Sequence, residues 1–190
     1  RITKMTTRAK EIRELGNTGF LELDANGNVG IGNTDPNLPL TVTSNGGANA
    51  IAIRARTNDD YGFIQFYDHA GTALRGQIYN HNGAMAISTN TTGTARLYID
   101  TSGNVGIGET SPLGKLHVKT GDSGATADAS ADEFVIEGSG NTGMSILSGA
   151  SNTGSIYFGD SGTNWDGYIA YSQNDRKMTL GTAAGGGSVN

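Results

Sequence analysis

The chain opens with apolar residues at helical spacing. Ile2, Met5, Ala9 and Ile12 follow one another at intervals of 3, 4 and 3, the a/d rhythm of a coiled coil. Lys10, Glu11, Arg13 and Glu14 flank that stripe, and Gly16-Asn17 closes it as a helix C-terminus would. The pattern predicts a short helix over 1–16. A free helix of this length is marginal in water, so it needs a partner. Isoleucine at both a and d positions favours three strands over two.

From Phe20 the period changes to two. Phe20-Leu21-Glu22-Leu23-Asp24 predicts a strand, Ala25-Asn26-Gly27-Asn28 a tight turn, and Val29-Gly30-Ile31-Gly32 a returning strand. Further short strands are predicted at 50–56, 62–68, 73–80 and 84–89, then at 133–137, 143–148, 154–159, 166–172 and 176–181. Asp68-His69-Ala70-Gly71, His81-Asn82-Gly83, Gly149-Ala150-Ser151-Asn152 and Gln173-Asn174-Asp175 supply turns between them. Short strands at this spacing predict an all-β fold of antiparallel hairpins.

The chain also matches itself. Residues 21–42 read LELDANGNVGIGNTDPNLPLTV and residues 97–118 read LYIDTSGNVGIGETSPLGKLHV, every matched position offset by 76. GNVGIG is identical in both. Looser matches follow, 63–66 with 155–158 and 76–79 with 167–170, so the chain reads as one stretch of a longer repetitive polypeptide. Gly30, Gly32, Gly106 and Gly108 leave one strand face without side chains. That is weak in isolation and fits a close backbone approach, such as at an oligomer axis.

Composition sharpens this picture. Glycine supplies 30 of 190 residues, against about 13 at average usage. Leu, Ile, Val and Phe together supply 36, a meagre stock for a private core. The net charge of −5 carries no basic surplus for nucleic acid. Without cysteine there are neither disulfides nor thiolate metal sites. No apolar run is long enough to cross a bilayer as a helix.

Candidate chemistry is sparse. GSGNTG at 138–143 has the spacing of a dinucleotide loop, but MSILSGASNTG after it does not read as the required helix. Asp24-x-Asn26-x-Asn28 and Asp100-x-Ser102-x-Asn104 start like calcium loops yet have Asp35 and Ser111 where the bidentate Glu belongs. Self-bonding turns account for the same residues. His69, His81 and His117 stand in no catalytic motif. Neither Asp59/Asp60 nor Asp132/Glu133 can form a glycosidase couple alone, because neighbours on a strand face opposite ways. No enzyme activity and no cofactor are expected. Trp165, the only tryptophan, sits beside Asn164 and Asp166 with Tyr168 close by. With Tyr67 and Tyr79 these residues make a candidate glycan-binding set, aromatic rings beside polar groups.

GNVGIG, the following Thr34-Asp35-Pro36 or Thr110-Ser111-Pro112, and Lys115-Leu116-His117-Val118 resemble the repeat unit of bacteriophage tail-fibre and tail-spike shaft proteins, close to GNVGIGTTSPxxKLHV. The second copy departs at Glu109, and the first at Leu38-Pro39-Leu40, where the family has a basic residue before the Leu. Similar repeats occur in large bacterial surface proteins. The resemblance implies an elongated, intertwined homotrimeric fibre on the virion that attaches a virus to its host. Its partners would be itself, other tail or capsid proteins and a host surface polysaccharide, with no nucleic acid and no membrane insertion. A polysaccharide-degrading spike, a plain fibre connector and a bacterial surface adhesin are the alternatives.

On that reading the chain comprises an N-terminal helix (1–16), a first GNVGIG connector (17–42), a first β body (43–96), a second connector (97–118) and a second β body (119–190). Ile2, Met5, Ile12, Leu21, Leu23, Val29, Ile31, Leu97, Ile99, Val105 and Ile107 are the expected trimer contacts.

Overall fold

The computed structural model describes residues 21–44, 51–89 and 94–182. The helix expected over 1–16, with Ile2, Met5 and Ile12, lies outside them. The described residues are all-β, with thirteen strands and no helix. The chain divides after Thr94 into two compact units.

The first unit opens with β1 (Leu21–Leu23) and β2 (Val29–Ile31), an antiparallel pair. Asp24 makes the turn between them. Its Oδ1 accepts the backbone N–H of Asn26 and of Asn28, each at 2.8 Å, and Gly27 takes a φ of 86°. This is the self-bonded turn that the Asx residues predict, and those two amide donors hold the Asp24 carboxyl below its ordinary range, Asn28 foremost.

The chain then returns parallel, not antiparallel: β3 (Leu40–Val42) lies beside β2. Adjacent parallel strands ordinarily need a crossover of about a dozen residues or more. Here residues 32–39 suffice, because the loop folds straight back across the face that Gly30 leaves bare. A Cβ at Gly30 would sit 2.2 Å from the Asn33 carbonyl oxygen, and one at Gly32 would sit 2.4 Å from that of Thr43. The close backbone expected opposite these glycines is therefore the chain's own loop. An oligomer axis is not needed to explain them.

A meander of β4 (Tyr61–Tyr67), β5 (Leu74–His81) and β6 (Ala84–Thr89) completes the described part of this unit. Asp68 closes the first turn on the N–H groups of Thr72 and Ala73. Asn82 and Gly83, at φ 48° and 82°, close the second, as a two-residue hairpin requires.

In the second unit β7 (Ala95–Ile99), β8 (Val105–Ile107), β9 (Leu116–Lys119) and β10 (Phe134–Glu137) run side by side, β7 antiparallel to β8 and the last three parallel. The pairs Leu97↔Ile107 and Ile107↔Val118 stand 76 residues on from Leu21↔Ile31 and Ile31↔Val42. A second meander follows: β11 (Thr153–Phe158), β12 (Gly167–Ser172) and β13 (Lys177–Thr182).

Two expected strands are absent. Residues 51–56 are irregular: Arg56 folds into a turn, its guanidinium on Asp59 and its carbonyl accepting the Asp60 N–H. Residues 143–148 are irregular too, with Leu147 fully in solvent and Ile146 laid against Gly154. Alternation alone does not supply a neighbour to pair with.

Candidate functional site

Side-chain sorting is the dominant feature of these sheets. In β1–β3 the register puts Leu21, Leu23, Val29, Ile31, Leu40 and Val42 on one face, with Glu22, Gly30 and Thr41 on the other. In β7–β10 the matching face carries Leu97, Ile99, Val105, Ile107, Leu116, Val118, Phe134 and Ile136. The meanders repeat the arrangement, with Ile64, Phe66, Ile78, Met85 and Ile87 on one side of β4–β6. Ile156, Phe158, Ile169, Met178 and Leu180 line one side of β11–β13. Part of that last face, with Ile146 and Tyr171, forms an open groove of about 240 Å³.

Among the described residues these faces are only partly covered. Among the described residues the buried hydrophobic side chains are Ala84, Ala86 and Ala95, while Leu23 is 62% and Ile107 43% exposed. All eight described residues expected at a chain–chain contact fall on the aliphatic faces of β1–β3 and β7–β10. Leu40, Val42, Leu116, Val118, Phe134 and Ile136 share those faces and were not among the expected contacts. Their alternation was visible in the sequence, but the parallel pairing that places them was not.

The polar side of β7–β10 holds the most concentrated charge. His117 is fully buried and Glu137 nearly so. His117 Nε2 and Glu137 Oε2 lie 3.0 Å apart, a close approach without hydrogen-bond alignment. Glu137 Oε1 accepts the N–H and the hydroxyl of Ser123 at 2.7 and 2.9 Å. Those donors, with the Lys119 ammonium, lower the Glu137 pKa from the ordinary 4.5 to about 2. Lys119 Nζ stands 2.7 Å from Glu109 Oε2 and 3.4 Å from Glu137 Oε2. The same contact to Glu109 raises the lysine's pKa and lowers the glutamate's.

Glu109, His117 and Glu137 offer ligand atoms within 4.8 Å of one another, a spacing that invites a metal. Two observations oppose it. The lysine ammonium already supplies the cation. The Leu113 N–H also donates to His117 Nδ1 at 3.2 Å, so one ring nitrogen is already engaged. Lys119, Glu109 and Glu137 form an ion network here. Its counterpart 76 residues earlier is neutral: Asn33 Nδ2 donates to Thr43 Oγ1 at 2.9 Å, where the second copy has Glu109 and Lys119.

The aromatic candidates separate. Tyr79 belongs to a ring cluster in the first unit, where Tyr61 stacks on His81 at 4.0 Å and Phe63 lies 5.6 Å from Tyr79. Tyr67 stands beyond a bulge in β4, its hydroxyl near Gln65. Asn164, Trp165, Asp166 and Tyr168 are in the second unit. There the Trp165 and Tyr168 rings are 6.5 Å apart, and the residues on either side of Trp165 are exposed. The register adds Tyr157, directly opposite Tyr168, which sequence reasoning did not single out.

No protein-family model matches the chain, and no curated protein matches it. Among the described residues no helix is long and apolar enough to cross a membrane.

Proposed function

We propose that this chain is a segment of a homotrimeric β fibre of the phage tail-fibre kind, a spacer and adhesin that helps hold a virus on its host. One observation carries the reading: among the described residues each sheet has an aliphatic face whose side chains are half-buried or exposed. Exposed apolar surface of this extent marks an interaction site. A chain with three buried alanines as its described core gains its missing burial by association, at about 25 cal/mol per Å² of apolar area. Folding and assembly are then one event, and stability depends on concentration.

The resemblance of the two connectors to fibre-shaft repeats supplies the identity of the partner, further copies of the same chain, and the heptad-like pattern at Ile2, Met5, Ala9 and Ile12 favours three. Three identical surfaces would turn weak contacts with a repetitive host polysaccharide into firm attachment. Sedimentation equilibrium tests the reading. The expected species has three times the chain mass of 19.6 kDa; a compact 19.6 kDa monomer whose melting is independent of concentration overturns it.

A further inference from the structure

The last meander has two unlike faces. Ile156, Phe158, Ile169, Met178 and Leu180 occupy one; Ser155, Ala170, Thr179, Ser172 and Lys177 occupy the other. On this second, polar face stand Tyr157 and Tyr168, opposite one another, and Trp165 joins them from the preceding loop. Tyr157 is 60% and Trp165 49% exposed. If assembly covers the aliphatic face, these rings stay in solvent.

Tyr168 and the loop carrying Trp165 are also tied down. Tyr168 packs over Gly181, where a Cβ would meet its Cζ at 2.6 Å, so the glycine makes room for the ring. The loop carrying Trp165 closes on itself. Asp160 Oδ1 accepts the N–H groups of Gly162 and Thr163 at 2.7 and 3.2 Å, and the Asp160 N–H donates to the Thr163 carbonyl at 2.8 Å. A Cβ at Gly159 would collide with Asn164. An aromatic surface with two largely exposed rings, and with Asn164 and Asp166 flanking Trp165 in the chain, matches what a pyranose presents, an apolar C–H face rimmed by hydroxyls.

We propose that Trp165, Tyr168 and Tyr157 form a platform for a neutral, hexose-containing glycan. Asp160 and Asp166 give the loop side negative charge and so disfavour uronate or sialate there; Lys177, at the far end of the same face, is the cation that an acidic glycan would need. The inference rests on the fibre reading only for which faces remain open.

Trp165 is the only tryptophan beside seven tyrosines, so tryptophan emission excited at the red edge, where tyrosine does not absorb, reports this site. Titration with cellohexaose is expected to shift the emission saturably, with half-saturation in the millimolar range. Tyr157→Ala is expected to weaken binding at least fivefold, whereas His69→Ala, in an exposed turn of the other unit, leaves it unchanged. Trigalacturonate should bind far more weakly than cellohexaose. Absence of any saturable shift with cellohexaose or maltohexaose overturns the proposal. So does equal binding of trigalacturonate, or a Tyr157→Ala protein that is folded by circular dichroism and binds as wild type. Sedimentation of the same samples separates the two readings: a trimer that binds no sugar sinks the platform alone, and a monomer that binds sinks the fibre alone.

Discussion

Ile107→Asp puts the association argument at its most exposed point. Ile107 sits in the middle of the aliphatic face, paired with Leu97 on one side and Val118 on the other, and is 43% exposed in the single chain. Fully burying such a side chain is worth about 1.5–3 kcal/mol, so somewhat more than half of that, about 1–1.5 kcal/mol, belongs to the chain alone. The remainder, about 1 kcal/mol per chain, is gained only on assembly. A carboxylate introduced here can still reach water in a monomer. In an assembly that covers the face it must be desolvated without a cation, which costs several kcal/mol or forces protonation. Counted over three chains, the penalty on assembly is on the order of 10 kcal/mol. Native mass spectrometry at neutral pH should therefore show the trimer lost in Ile107→Asp and kept in Lys177→Asp, which changes charge on a polar face. Below about pH 4, where the new carboxylate protonates, part of the trimer should return. An Ile107→Asp protein with the wild-type mass at neutral pH refutes the reasoning, because the face would then be open to water in the native state.

Gly106→Ala should destabilise far more than Gly103→Ala in thermal melts. At 106 a Cβ would lie 2.1 Å from the Glu109 carbonyl oxygen, a backbone clash worth about 2–4 kcal/mol. At 103 it meets nothing within 4 Å and suffers only the cost of a φ of 78°, about 1–2 kcal/mol. The Glu137 carboxyl has a folded pKa below its unfolded one, so its contribution to stability is complete above about pH 4.5 and lost as the pH falls toward 2. Melting temperature should drop across that window in the wild type and less steeply in Glu137→Gln; parallel slopes would count against the network. Replacing the pair Glu109/Lys119 by the Asn/Thr of the first copy should cost less than the sum of the two single changes, because their 2.7 Å contact is lost in either one. A double-mutant cycle of melting temperatures measures this, and additive effects would deny that the pair is coupled.

Most of the strand layout was legible in the sequence. The alternation Ala84-Met85-Ala86-Ile87 and its bounding Asn82-Gly83 mark β6 at its true ends, and β4, β5 and β10 to β13 differ from expectation by about one residue at either end. Direction was not legible. Leu40-Thr41-Val42 and Leu116-His117-Val118 alternate as any strand does, and nothing in a period of two says whether a strand pairs parallel or antiparallel. The same gap hid the ion network, since Glu109, His117 and Glu137 meet only when β9 and β10 run side by side. Glycine alternation announced a close backbone correctly but could not name whose. Trp165 could be picked out by its neighbours, whereas Tyr157 could be found only once the register had assigned it a face.

The connector loops are closed by their own atoms: Asp24 and Asp100 bond their own turns, and residues 33 and 109 seat over Gly30 and Gly106 within the same unit. The turn and the loop seat of each joint are thus made within the joint itself. A genetic crossover between the two stretches encoding GNVGIG would therefore excise 76 residues in frame and leave a complete, correctly paired joint behind. Length could thus be edited by recombination without redesign of the splice point.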